Sequence, residues 1–276
     1  MMSINGFTSI QPLPDRSPDR TCWLLFRVGS YSRLREFQLG KMYMNSVQFF
    51  SDMVGESSTG LRSDILEKNY LKFHSQIEGE RVGELKFDVG GDSVSAGENA
   101  NLYLDLPAPA DIFLFCMVGL ADGPEGLIPG EASGEVMLSE RFTKLGDHVL
   151  VVKNNAEFSS RLNAAIAKHP GLYSSDFYEG GHGQVEYVDM QRHSGIVGLF
   201  RKDMEYAWQR EYRFCLGATS DVKNSKGALE LDIGDISDIS QIIPTDKFVS
   251  SPISLRRGVI KIINGVLRHR YTDRRN

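Results

Sequence analysis

The chain has 276 residues, enough for one large domain or two modest ones with a full hydrophobic core. Its 41% hydrophobic and 24% charged residues are ordinary globular usage, which excludes a disordered, collagen-like or coiled-coil protein. The net charge of −5 disfavours broad wrapping of nucleic acid, yet Arg256, Arg257, Lys261, Arg268, Arg270, Arg274 and Arg275 face only Asp273 near the C-terminus, leaving one basic element suited to a phosphate or RNA segment.

In chain order, residues 1–20 form a polar extension with three prolines and no apolar stretch of the kind a secretory leader carries. Cys22 to Val28, CWLLFRV, reads as a buried strand interrupted by one charge, Arg27. Ser32 is the expected cap of a short helix over Arg33–Leu39, closed by Gly40, and Lys41 to Asn45 is the next strand. Phe49 and Phe50 fall in a short turn or helix, and Ser51 to Ser63 is a polar loop expected to be exposed and mobile. LKFHSQI, GELKFDV and NLYLDL, between Tyr70 and Tyr103, alternate apolar with polar residues as antiparallel strands do.

Ile112 to Val118 is apolar on both faces, a central strand too short to span a bilayer, and the glycine- and proline-rich Gly119 to Gly134 follows as a loop that could close over a ligand. His148 to Lys153 is a strand, and Asn155 caps a helix whose Phe158, Leu162 and Ile166 share a face. Gln184–Asp189 and Ile196–Phe200 are strands. Trp208 to Leu216 is another, with Trp208, Tyr212, Phe214 and Leu216 on one face and Gln209, Glu211, Arg213 and Cys215 on the other. Last, Leu255, Val259, Ile262, Ile263, Val266 and Leu267 take helical spacing, with arginines off the apolar stripe. Strands without regular βαβ alternation give an α+β class, largely antiparallel: one domain over residues 21–254, between the extension and a basic amphipathic helix and tail over 255–276.

Few sites of strong chemistry survive inspection. Six histidines show no HxxxH, HxH or HExxH spacing, and His182 and His193 read as loop residues, so no metal site is expected. No GxGxxG, P-loop or GxSxG motif occurs. The three cysteines, Cys22, Cys116 and Cys215, are too few and too separated for a disulfide framework, which points to a reducing cytoplasm, and with no apolar run long enough to span a bilayer no membrane partner is expected. What remains is charge inside apolar strand segments, where burial is expensive without a partner or ligand: Arg27, and Glu211 two residues after Gln209. The plainer reading pairs Glu211 with Arg213 or Arg210 and Arg27 with an acid elsewhere.

Taken in order, Arg27 in LLFRVGS, then Tyr43, Asn45 and Ser46 in MYMNS, then Gln209-Arg210-Glu211, the chain resembles ADP-ribosyltransferases of the arginine–serine–glutamate type, although that family's Ser-Thr-Ser run is absent. The resemblance implies a split sheet with peripheral helices and NAD as cosubstrate. It implies that Arg27, Tyr43, Asn45 and Ser46 hold the cofactor, and that Glu211 with Gln209 is catalytic, the glutamate stabilising an oxocarbenium-like ribosyl cation. The chain is also similar to uncharacterised bacterial and phage-associated proteins sharing an early Phe-Arg-x-Gly strand, an acidic-arginine stretch like Arg62-Ser63-Asp64 with Glu67, and a late Trp208, Glu211 and Arg213. Together these imply a toxin or effector that modifies a protein or nucleic-acid acceptor, with an antitoxin or other protein partner. The alternative is a non-catalytic interaction module docking a partner through a sheet edge or the C-terminal helix.

Overall fold

The computed structural model describes residues 12–53, 68–97, 99–123, 126–130, 135–173, 179–255, 258–263 and 266–271, the last two spans as backbone only. Most of the loop expected over Ser51–Ser63, the Arg62–Glu67 stretch and parts of Gly119–Gly134 lie outside these residues. The architecture is mixed α+β, rich in strands, and largely antiparallel.

Nine strands form the central sheet: β1 (Cys22–Gly29), β2 (Lys41–Ser46), β3 (Ile112–Ala121), β4 (His148–Val152), β5 (Leu172–Tyr173), β6 (Gly181–Gln184), β7 (Glu211–Ala218), β8 (Leu229–Asp232) and β9 (Ser240–Pro244). The apolar run that marked a central strand is β3. It pairs with β7 along one edge, from Glu211↔Val118 to Gly217↔Ile112. The other edge is divided: β1 pairs with Val118 to Ala121, while β2 pairs with Phe113 and Leu114. Phe115, Cys116 and Met117 lie between, and the sheet opens there.

Among the described residues four α-helices, α1 (Tyr31–Gln38), α2 (Val47–Asp52), α3 (Asn155–Ala167) and α4 (Thr245–Val249), accompany the sheet. The α1 cap position falls at Ser30 rather than Ser32, with no side-chain cap bond. Gly40 follows that helix at φ +101°, and a Cβ there would meet the Gly234 backbone at 2.7 Å, so glycine satisfies both turn and packing. The α3 cap is Asn154 rather than Asn155, which is the first helical residue, and the Asn154 Oδ1 accepts from the Glu157 N–H at 3.1 Å. One face of the sheet buries Leu25, Phe115, Leu150 and Phe214 against Leu34 and Phe37 of α1 and Phe158, Leu162 and Ile166 of α3. The opposite face packs Phe26, Val118, Leu120 and Val149 against Phe142 and Val249.

Smaller antiparallel pairings carry the segment between Asn69 and Asp105, as its alternation predicts. The N-terminal extension is anchored from its described part onward: Leu13 is buried, its N–H donates to Asn163 Oδ1 at 3.0 Å, and Arg16 Nη2 donates to the Gly180 carbonyl at 2.7 Å.

Three further expectations fail. The C-terminal helix is instead a hairpin of Gly258–Ile263 with Val266–Tyr271, paired from Gly258↔Tyr271 to Ile263↔Val266. Paired apolar positions satisfy a helical period as well as a strand, but Val259, Ile260, Ile262, Ile263 and Val266 are β-branched and an Asn-Gly dipeptide separates the two runs. The strands expected over Gln184–Asp189 and Ile196–Phe200 are shorter and displaced, to Gly181–Gln184, Glu186–Val188, Gly195–Ile196 and Arg201–Asp203. Gly119 does not begin a loop. It lies inside β3, where an added Cβ would stand 2.6 Å from Gln184 Oε1, so it cannot hinge a lid.

Candidate functional site

A cleft of about 1000 Å³ sits where the sheet divides, and Arg27, Tyr43, Asn45, Gln209 and Glu211 all line it. Of the residues singled out from the sequence, Ser46 stays outside. Strand alternation explains this: Lys41, Tyr43 and Asn45 face the cleft, while Met42, Met44 and Ser46 turn inward and are buried. Ser46 caps α2 instead, its Oγ accepting from the Phe49 N–H at 3.2 Å.

Arg27 reaches the gap from β1. Its Nη1 donates to the carbonyl of Cys116, and its guanidinium lies 4.0 Å from the centroid of the Phe115 ring. A planar cation so stacked is held in one orientation, worth about 1–2 kcal/mol where desolvated. By register Arg27 lies opposite Leu150 on the α1 and α3 face, whereas Glu211 lies opposite Val118 on the other. The two side chains therefore meet one cleft from opposite faces of the sheet.

Gln209 and Glu211 are not on one strand. Gln209 ends the 3₁₀ turn Met204–Gln209, Arg210 follows at φ +46°, and β7 begins only at Glu211. That left-handed residue turns the chain, so both side chains converge on the Nζ of Lys202, at 3.3 Å from Gln209 Oε1 and 3.2 Å from Glu211 Oε2. Trp208, expected beside Tyr212, packs instead against Phe142 with centroids 5.3 Å apart. Tyr212, Phe214 and Leu216 do share the apolar face.

The carboxylate of Glu211 is enclosed. Arg213 Nε donates to Oε1 at 2.6 Å, Lys202 to Oε2, and the side chains of Lys202, Glu211 and Arg213 are 3%, 7% and 1% exposed. Burial alone would raise its pKa, but the charges of Arg213 and Lys202 outweigh it and hold the group well below the usual carboxylate range. The Glu211 N–H donates to the hydroxyl of Tyr187 at 2.8 Å. Burial, then the nearby Glu211 charge, pushes that phenol up, so it stays neutral.

The cleft's remaining walls are aromatic and cationic. Phe49 and Tyr43 line it while remaining 44% and 40% exposed, so ring faces are accessible to a ligand. Among the described residues, Arg27, Arg33, Lys41, Lys202 and Lys226 line it against Glu36, Asp147 and Glu211, a cationic site in an acidic chain. No described residue of the Gly119–Gly134 segment contributes to the lining. Sequence reading missed Lys202, because Arg201 and Asp203 beside it make the segment look like an ordinary solvated charge run.

His182, expected on a flexible turn, is on β6. Its ring stacks on Tyr212 and Phe214, and Nδ1 lies 2.7 Å from the Tyr212 hydroxyl. Among the described residues no three His, Cys, Asp or Glu side chains form a metal-binding group, and no helix is long and apolar enough to cross a membrane. Compared with known protein families, curated sequences and solved structures, the chain matches none.

Proposed function

We propose that the chain is an NAD-dependent ADP-ribosyltransferase-like toxin or effector that modifies a protein or nucleic-acid acceptor. One observation carries this reading: Arg27, Tyr43, Asn45, Gln209 and Glu211, from three separate stretches of sequence, line one cleft at the division of the sheet. Its cationic surplus suits a pyrophosphate, and its exposed rings suit nicotinamide or adenine. In the reaction the N-glycosidic bond breaks, its electron pair leaves with nicotinamide, and the acceptor's nucleophile bonds to the ribosyl carbon and gives up a proton. In this reading Glu211, once one of its two cations is drawn away, stabilises the positive charge that develops on the ribose, as carboxylates do in glycoside cleavage.

Labelled NAD incubated with the protein and cell lysate tests this directly. The expected result is labelled acceptor or free ADP-ribose; neither product, together with no NAD binding at millimolar concentration, refutes it. The informative variant is Glu211→Asp, which keeps the network's charge, withdraws the carboxylate, and should lower turnover by about 100-fold with binding retained. A second reading, the non-catalytic interaction module, is favoured by the opposite-face origin of Arg27 and Glu211. It predicts no NAD turnover in any variant.

A further inference from the structure

The network around Glu211 is built asymmetrically. Arg213 gives Nε to Oε1 and Nη1 to the carbonyl of Leu199, each at 2.6 Å, and does not line the cleft. Lys202 holds the other oxygen, Oε2, its ammonium also lies 4.6 Å from the centroid of the Tyr206 ring, and it lines the cleft together with Gln209 and Glu211. A planar guanidinium fixed in two places resists displacement, whereas an ammonium on a four-carbon stem can turn.

While both cations hold it, the carboxylate is more than neutralised and cannot stabilise positive charge nearby. For Glu211 to act, one clamp must open, and of the two cations only Lys202 borders the cleft. A phosphate oxygen can take over the charge-assisted hydrogen bonds that Lys202 gives up. We infer that Lys202 is an exchangeable clamp: it holds Oε2 of Glu211 in the free protein, and a phosphate-bearing ligand in the cleft draws it away, turning that oxygen toward the ligand. The chemistry that follows rests on the NAD reading, but the exchange needs only a phosphate.

The test is carbon NMR of the protein labelled at glutamate Cδ, titrated with inorganic pyrophosphate, the Glu211 resonance being identified by its loss in Glu211→Asp. In the wild type this resonance should shift and saturate. In Lys202→Met, where Arg213 still balances Glu211, the shift should vanish. Lys202→Arg, which offers Oε2 a planar fork, should need about tenfold more pyrophosphate for the same shift, the change expected from one added charge-assisted bond. A resonance that stays fixed at millimolar pyrophosphate, or moves equally in Lys202→Met, overturns the exchange. Should Lys202→Met fail to fold, Lys202→Arg decides, and wild-type behaviour there overturns it too. A shift without NAD turnover supports the clamp while refuting the transferase reading; turnover with a fixed resonance does the reverse.

Discussion

Two ion networks in this molecule each join one charge to two of the opposite sign, in opposite surroundings. At the surface, Arg161 joins Glu157 at 2.8 Å and Asp238 at 2.7 Å, with side chains between 25% and 60% exposed. Beneath the cleft, Glu211 joins Arg213 at 2.6 Å and Lys202 at 3.2 Å, with no side chain more than 7% exposed. Water and salt screen the first, and holding long side chains in place offsets much of its attraction. In the second, removing the anion leaves two cations that neither water nor protein compensates. Exposure, not distance, sets what each network is worth.

The largest effect should come from Glu211→Gln, which strips the buried network of its anion and leaves Lys202 and Arg213 facing each other. A loss of about 3–5 kcal/mol in urea unfolding is expected. Replacing all three together by Met, Leu and Met should recover most of that stability while ending any turnover. An unchanged urea midpoint in Glu211→Gln would break the comparison. Lys202→Met should cost less, about 1–3 kcal/mol, because Arg213 still balances the carboxylate.

A smaller, pH-dependent effect belongs to His182. Burial lowers its pKa below 6.5 in the folded chain, so the unfolded chain binds the proton more readily, and stability should fall as pH drops below about 6.5 toward the folded value. Unfolding of His182→Gln measured between pH 7 and 5 should show a shallower decline than the wild type; parallel curves would place the titration elsewhere. The smallest effect is expected of Asp238→Asn at the surface network, whose thermal midpoint should stay within error of the wild type and should not separate from it in high salt.

Local pattern explains what could be read from the sequence. The apolar run of β3 marks a central strand. The phase of Tyr212, Phe214 and Leu216 against Glu211 and Arg213 followed from alternation, and the cleft-facing Tyr43 and Asn45 obey it too. Ser46 was misplaced by the same rule left unapplied, since its parity is that of Met42 and Met44. Lys202 could not be found locally, because only the turn at Arg210 brings Gln209 and Glu211 round to it. In the C-terminal hairpin the apolar positions satisfy helical spacing and strand pairing alike, and β-branching with the Asn-Gly signal decides between them.

The proposed chemistry needs the cleft at the division of the sheet, and a crystal structure of the protein soaked or grown with millimolar NAD tests that need most directly. The expected result is a dinucleotide lying through that gap, its pyrophosphate within hydrogen-bond distance of Arg27 and its nicotinamide ribose facing Glu211. An empty cleft at that concentration, or a dinucleotide bound elsewhere on the molecule, would contradict it.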